Sequence, residues 1–214
     1  MVAATIPTLA LVVANALIAQ SEEAADSTLN YETCSGANKE KLKLAMQEEI
    51  NVLKTNGTWN LTVAPEEKTI TGCKWVYKSK RDCEGNVFRH KARLVAQGYK
   101  QKYGHDYDEV FAPVAKPATL RMLLTIARKR KMAVRHYDIQ SAYLNGDLFH
   151  DVYMKQLPGF QEGDEVCKLV KNLHELKQGA NEWNRKLNEI LSSKRFERSQ
   201  YEPCLYTMQD KGWI

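Results

Sequence analysis

The sequence predicts an α+β fold, and three observations favour it. Stretches with helical spacing and stretches with strand-type alternation follow each other in mixed order, without the regular strand–helix repeat of a doubly wound sheet. The 214 residues, 43% of them hydrophobic, are enough to bury a core in one or two domains. A cluster of turn-forming residues separates two strand-like stretches, which is typical of an antiparallel hairpin.

Three stretches predict helices, at residues 38–55, 119–131 and 180–194. Each carries an apolar stripe at helical spacing. The stripes are Leu42, Met46, Ile50 and Leu53; Leu120, Leu123, Leu124 and Ala127; and Trp183, Leu187, Ile190 and Leu191. Asn56-Gly57 is a stop signal for the first helix, and the cations at residues 128–131 suit the negative end of the second.

The predicted hairpin consists of strands at residues 72–80 and 87–96, joined by the turn-forming residues 82–86. Successive side chains of a strand point to opposite faces, so one face of the second strand carries cations. These cations are Arg89, Lys91 and Arg93. The hairpin is therefore expected to have one strongly basic face.

Shorter extended stretches are predicted along the rest of the chain. They lie at residues 59–63, 133–139, 152–155, 166–170 and 204–208. Asp138 stands at the end of the 133–139 stretch, and a turn is expected at Asn145-Gly146.

The charge of the chain is unevenly distributed. Residues 74–135 contain 16 Lys and Arg against 5 Asp and Glu, a balance of +11. The net charge of the whole chain is +5, so the remainder carries 5 − 11 = −6. Such a block indicates a polyanionic partner, and a solvated basic face is the alternative interpretation.

Five cysteines lie far apart, with no C-x-x-C pair and no His at metal-ligand spacing. This usage favours reduced thiols in an intracellular protein of the cytoplasm or nucleus. Residues 1–20 are uncharged and apolar, but they have no basic n-region and an acidic flank follows. Membrane association is therefore not expected, although a membrane-anchored protein is kept as one alternative.

A series of motifs carries the functional information. They lie at residues 72–78 (GCKWVYK), 89–99 (RHKARLVAQGY), 106–115 (DYDEVFAPVA), 138–146 (DIQSAYLNG), 153–160 (YMKQLPGF) and 176–178 (LKQ). In this order and at this spacing the chain resembles the reverse transcriptase of Ty1/copia-type retrotransposons, a part of the Pol polyprotein. The resemblance covers about residues 31–208.

The resemblance implies the fold of a right-hand polymerase, here with fingers plus incomplete palm. Residues 1–30 are then a poorly ordered leader, and residues 31–58 contain the N-terminal helix. The fingers-like subdomain spans residues 59–132, and the palm-like subdomain spans residues 133–214.

The resemblance also implies roles for individual residues in RNA-directed DNA synthesis. Asp138 matches the first palm aspartate, a catalytic carboxylate that binds Mg²⁺. Tyr143 matches the aromatic residue that packs under the incoming sugar and excludes a 2′-hydroxyl. Lys91 and Arg93 match cations that grip the triphosphate, and Gln178 matches a glutamine that contacts the incoming nucleotide or the template. The implied partners are an RNA or DNA template–primer, deoxynucleoside triphosphates and the remainder of the Pol polyprotein.

The chain departs from the family pattern at three places. His174-Glu175 stands where the family has Tyr-Gly, and residues 179–182 (GANE) lack the family's Arg before Trp183. A Tyr-x-Asp-Asp box, which would bring two further aspartates, is absent from the sequence. Two catalytic metal ions need more than one carboxylate, so the chain is expected to be truncated before that box and inactive alone.

Two further readings of the same residues are kept open. The chain is alternatively a non-enzymatic nucleic-acid-binding remnant of the same kind of transposable element, retaining the basic fingers surface. It is otherwise a degenerate remnant that folds only marginally.

Overall fold

The computed structural model describes residues 9–13, 36–139 and 141–209. These residues form two compact units. The larger unit contains the described residues of 36–111 and 141–183, and the smaller unit contains those of 9–13, 112–139 and 184–209.

The chain alternates irregularly between strands and helices, as the sequence predicts. In chain order the elements are β1 (Leu9–Val13), α1 (Gly36–Thr55), β2 (Trp59–Thr62), β3 (Ile70–Thr71), β4 (Cys73–Arg81), β5 (Val87–Ala96), α2 (Pro117–Lys129), β6 (Tyr153–Met154), β7 (Val166–Leu169), α3 (Gly179–Ser193), β8 (Glu197–Arg198) and β9 (Leu205–Gln209). None of the helices in the described ranges is long and apolar enough to cross a membrane.

Helix α1 confirms the first predicted helix and its stop signal. Gly57 has a φ of +60°, a left-handed conformation that glycine adopts without steric cost. The Thr58 amide and hydroxyl both donate to the Leu53 carbonyl, at 3.1 and 2.7 Å. The last turn of the helix is thus capped by backbone and side chain together.

The predicted hairpin is confirmed in strands β4 and β5, which pair antiparallel. Its turn is organised by Asp82, whose side-chain oxygen accepts from the amides of Glu84 at 3.0 Å and Asn86 at 2.8 Å. Gly85 supplies the positive φ that this turn requires, at +88°. The local turn chemistry therefore fixes the register of the hairpin.

Helix α1 packs against one face of the hairpin. This contact is a small apolar cluster formed by Leu42, Ala45, Met46, Tyr77 and Ala92. The predicted alternation along β5 is confirmed, because Ala92, Leu94 and Ala96 are buried while Arg89 and Lys91 are exposed. The apolar face of the hairpin is thus the one that joins the core.

The main core of the larger unit lies beside a four-stranded sheet with the strand order β2-β7-β6-β3. Strands β3 and β6 pair parallel and the other neighbours pair antiparallel. The core side chains come from α1, the hairpin and this sheet: Ile50, Leu53, Cys73, Leu94, Ala96, Leu144, Val152, Met154, Leu157, Cys167, Leu169, Leu173 and Leu176. The stretches predicted at 59–63, 152–155 and 166–170 are confirmed as strands of this sheet.

The loop that follows β5, residues 97–107, is built by hydrogen bonds. It begins with a 3-10 turn at Gly98–Lys100, and the Lys102 amide donates to the Asp106 carboxylate at 2.8 Å. Gly98 lies against the backbone of Glu175: a Cβ added to Gly98 would stand 2.0 Å from the Glu175 carbonyl oxygen. Only a glycine allows this approach.

The smaller unit has a three-stranded antiparallel sheet with the order β1-β9-β8. Strand β9 confirms the stretch predicted at 204–208, and β1 lies in the segment expected to be a leader. The other residues of that segment, 1–8 and 14–30, lie outside the described residues. Helix α2 begins with Pro117 in its first turn, and the buried Glu202 accepts from the Thr119 hydroxyl at 3.1 Å.

One predicted strand is wrong. Residues 133–139 have no regular structure and are exposed. No described strand supplies them with a hydrogen-bonding partner, and an isolated strand is not stable in water.

The apolar stripes of α2 and α3 are only partly buried. Leu123, Ala127, Trp183 and Leu187 are buried, whereas Leu120, Leu124 and Ile190 are exposed.

We predict that Gly98→Ala lowers the free energy of unfolding by about 1–3 kcal/mol, because the new methyl group must displace the Glu175 backbone. Urea unfolding measures the loss. Hydrogen exchange of the Ala96 amide should accelerate as well, because that amide donates to the neighbouring His174 carbonyl.

Gly104→Ala is the matched control in the same loop. Its Cβ would meet nothing within 4 Å, so only the strain of its positive φ remains. Equal exchange rates of the Ala96 amide in the two variants would contradict the steric explanation.

Candidate nucleotide and nucleic-acid site

The hairpin concentrates positive charge on the face opposite the core. The register places Lys78 opposite Lys91 and Lys80 opposite Arg89, and the half-buried Arg93 follows on the same face. We call these five side chains the basic face. Like charges directly opposite each other on a sheet destabilise it, so this arrangement favours an anionic ligand.

Helix α1 supplies acidic groups to the basic face. Glu48 forms an ion pair with Arg89 at 3.1 Å. Burial raises the pKa of Glu49, while a hydrogen bond from the Leu94 amide and the charges of Lys91 and Arg93 oppose this shift. In turn, burial and the Arg93 charge lower the pKa of Lys91. The sequence did not indicate these acids, because the helical spacing in α1 predicts only its apolar stripe.

Tyr143 lies on a 3-10 turn, Ala142–Asn145, and its ring is half-buried. The ring makes an edge contact with the ring of His174, with centroids 5.0 Å apart and an interplanar angle of 72°. A Cβ on Gly179 would stand 3.5 Å from Tyr143 Cδ1 and 3.2 Å from the Asn172 side chain. His174 and Gly179 therefore form the surroundings that hold the Tyr143 ring.

His174 connects Tyr143 to the hairpin. Its carbonyl accepts from the Ala96 amide at 3.0 Å, so its backbone continues the hydrogen bonding of β5. Burial lowers the pKa of His174 to about 4, and the charges of Arg93 and Lys91 act in the same direction. Its buried Nδ1 has no hydrogen-bond partner among the described residues. The imidazole is consequently neutral at neutral pH.

Gln178 is buried, and its amide joins two segments of the larger unit. Its nitrogen donates to the Asp106 carbonyl at 3.2 Å, and its oxygen accepts from the Gln101 side chain at 3.1 Å. Gln101 also accepts from the Lys177 amide at 2.8 Å. This network fixes the 97–107 loop, an arrangement that the motif at residues 176–178 did not reveal.

The predicted site residues are distributed over both units. Lys91, Arg93, Tyr143 and Gln178 belong to the larger unit, where His174 lies between Tyr143 and the strand that carries Arg93. Asp138 belongs to the smaller unit and is exposed in the irregular segment 133–139. The described part of the chain contains no group of three or more His, Cys, Asp or Glu side chains that could hold a metal ion.

Two other aspartates form ion pairs with lysines. Asp151 pairs with Lys168 at 2.8 Å, and Asp147 pairs with Lys171 at 3.2 Å. Asp164 is exposed, and Asp210 lies outside the described residues. None of the described acids offers a second carboxylate cluster.

Comparison with known proteins gives the family of this chain. A family model described as reverse transcriptase (RNA-dependent DNA polymerase) matches residues 56–212. The chain belongs to the reverse transcriptase family, in the branch of the Ty1/copia-type Pol polyproteins. Members of this family use divalent metal ions and a nucleic-acid template.

The relatives are transposon polyproteins. The chain is 39% identical over 178 residues to the retrovirus-related Pol polyprotein from transposon TNT 1-94 of Nicotiana tabacum, covering 82% of this chain and 13% of the relative. It is 41% identical over 174 residues to that from transposon RE1 of Arabidopsis thaliana, covering 79% and 12%. The Ty1-MR1 Gag-Pol polyprotein of Saccharomyces cerevisiae is 27% identical over 202 residues, covering 84% and 11%. The chain thus spans a small part of each polyprotein, and no solved structure matches it.

We predict that Glu175→Gly stabilises the chain. Glu175 has a φ of +65°, which costs a residue with a side chain roughly 1 kcal/mol, and the resembled family has Gly here. Its ion pair with Lys74 is long, at 4.0 Å, and exposed, so little is lost with it. Because the added freedom of the unfolded chain offsets part of this gain, the melting temperature should rise by roughly 1–2 °C.

Lys177→Gly serves as the control, because Lys177 is exposed in the same segment and has no positive φ. That variant should lower the melting temperature through the added freedom of the unfolded chain. A fall of similar size in Glu175→Gly would contradict the strain at this position.

We also predict a pH dependence that arises from His174. Its pKa is about 4 in the folded chain against 6.5 for the free side chain, so the unfolded chain binds a proton first as pH falls. The free energy of unfolding keeps its full value above the pKa that His174 has in the unfolded chain. It should fall by on the order of 2–3 kcal/mol between about pH 6.5 and pH 4. Urea unfolding across this range measures the loss.

His174→Tyr removes the titrating group and places the residue of the resembled family at this position. In this variant the free energy of unfolding should lose the pH dependence that comes from His174 and keep the pH dependence that comes from the carboxylates. An identical pH profile in both proteins would show that His174 is not the group responsible.

Proposed function

We propose that this chain is the nucleotide- and template-gripping part of an RNA-directed DNA polymerase that takes deoxynucleoside triphosphates and Mg²⁺. The basic face carries this proposal. Two like-charged pairs across the hairpin cost stability in the free chain, and a polyanion removes that cost.

Within this function Lys91 and Arg93 bind the triphosphate and neutralise its charge. Tyr143 lies beside the incoming sugar and discriminates by steric conflict with a 2′-hydroxyl. Its edge contact with His174 supports this role, because a sterically selective ring must be held in place. Gln178 acts on the nucleotide or template by fixing the 97–107 loop, to which its amide is hydrogen-bonded.

Asp138 is the proposed first ligand of Mg²⁺. The described residues do not complete a site for this ion, because Asp138 is the only proposed ligand and the described acids form no cluster. Such an ion would supply positive charge for phosphoryl transfer, and holding it requires further carboxylates besides Asp138. Polymerisation by this chain is therefore proposed to depend on carboxylates beyond the described ones.

A non-enzymatic nucleic-acid-binding function is the second candidate. The same basic face favours it, since backbone phosphates need only positive charge and no catalytic carboxylate. The free thiols of Cys73, Cys83, Cys167 and Cys204 support an intracellular location for either function.

We predict that replacing Lys91 and Arg93 together by Ala reduces the log–log salt slope of nucleic-acid binding by about one to two units. The reason is that each phosphate contact releases counterions, and both contacts are lost. Fluorescence anisotropy with a labelled single strand at several salt concentrations measures the slope.

The matched control replaces Lys129 and Arg130, two exposed cations at the end of α2, and removes the same charge. Its slope should stay near that of the unchanged protein. Equal slopes for both double variants would show that the basic face has no special part in binding. Competition by deoxyadenosine triphosphate that is lost in the Lys91 and Arg93 variant favours the polymerase, whereas binding without such competition favours the second candidate.

A further inference from the structure

The loop after β5 exposes two tyrosine rings. Tyr99 is 70% exposed and Tyr103 is 72% exposed, in a protein segment that is otherwise anchored to the core. Two aromatic surfaces left open to water on one anchored loop mark a candidate contact for a binding partner. Neither the basic face nor the proposed Asp138 site uses these rings.

The exposure of the rings does not come from a loosely held loop. The buried Gln101 side chain donates to Gln178 and accepts from the Lys177 amide, and the buried Asp106 carboxylate accepts from the Lys102 amide. The Gly104 amide donates to the Tyr107 carbonyl at 2.9 Å. The backbone that bears both tyrosines is therefore fixed from within.

The rings keep most of their surface available. Tyr103 makes an edge contact with Tyr107, with ring centroids 5.9 Å apart at 70°. Lys100 Nζ lies 5.8 Å from the centroid of the Tyr99 ring. Such contacts orient the rings without covering them, as their exposed fractions show.

The charges around the two tyrosine rings indicate an anionic partner. Lys100 and Lys102 lie between Tyr99 and Tyr103 in the sequence and are exposed, whereas Asp106, the one acid of residues 97–107, is buried and hydrogen-bonded. Exposed aromatic rings beside exposed lysines match a strand of unpaired bases, because the bases stack on rings while the phosphates contact the cations. The bases of a duplex are already stacked on each other and cannot use the rings.

We propose that Tyr99 and Tyr103 form a stacking platform for unpaired bases of a nucleic-acid strand, distinct from the basic face. This inference rests on the proposed function in taking nucleic acid as the partner. It adds a base-contacting site to the backbone-contacting site on the hairpin. Since stacking needs only an aromatic face, the platform tolerates any base sequence.

The test measures binding of a labelled oligodeoxythymidine, an abasic strand of equal length and a duplex to the full chain. Tyr99→Leu and Tyr103→Leu should each weaken binding of the oligodeoxythymidine roughly 5-fold, and together roughly 25-fold, since a stacked base contributes about 1 kcal/mol or more. Binding of the duplex and of the abasic strand should not change. The salt slope should also stay constant, because no charge is removed.

Two control variants separate stacking from other effects. Tyr99→Phe with Tyr103→Phe keeps the rings and should keep the affinity, whereas a loss there would overturn the proposal in favour of hydroxyl contacts. Phe88→Leu removes an exposed ring outside the loop, 66% exposed, and should leave binding unchanged.

Other outcomes would also overturn the proposal. An equal loss for the abasic strand would exclude base stacking, and self-association that disappears in the Leu variants would assign the rings to a second copy of the chain. If the Leu variants bind the oligodeoxythymidine normally while the Lys91 and Arg93 variant shows the reduced salt slope, this inference fails and the proposed function stands. If the unchanged protein binds no nucleic acid, both fail.

Discussion

The hydrogen bond from the Ala96 amide to the His174 carbonyl joins the last residue of β5 to the segment that precedes Gln178. Because β5 pairs with β4 on its other side, this bond continues the hydrogen bonding of the hairpin into a distant part of the chain. The segment it holds carries His174, against which Tyr143 packs, and leads to Gln178, which fixes the loop after β5. The proposed nucleotide and nucleic-acid residues of the larger unit thus share one backbone connection.

The basic face is stable in the free chain because neighbouring parts of the fold counter its repulsion. The turn around Asp82 holds the two strands in register, and the opposite face is buried against α1. Helix α1 also places Glu48 and Glu49 beside the cations. A bound polyanion would therefore compete with these two carboxylates, which makes α1 part of the electrostatic balance of the site.

The sequence predicts those features that depend on neighbouring residues. Helix α1, its stop at Gly57 and the hairpin turn at Asp82 follow from local spacing and local hydrogen bonds, and they are confirmed. The strand at 133–139 is wrong, since strand formation depends on a partner that local alternation cannot reveal. The contacts of Tyr143 with His174 and of Gln101 with Gln178 join residues far apart in sequence, so no local pattern predicts them.

The departure of this chain from its family at His174-Glu175 shows how the site geometry is maintained. The carbonyl of His174 is held by Ala96, and Gly98 lies against the carbonyl of Glu175, so the surroundings determine the path of this segment. Glu175 must then adopt a positive φ that its side chain disfavours, and the exposed Lys74 at 4.0 Å offsets little of that cost. His174 is likewise kept neutral by burial beside Arg93 and Lys91. The carbonyls of His174 and Glu175 thus both lie against residues 96–98, and these backbone contacts connect the segment that positions Tyr143 and Gln178 to the end of β5.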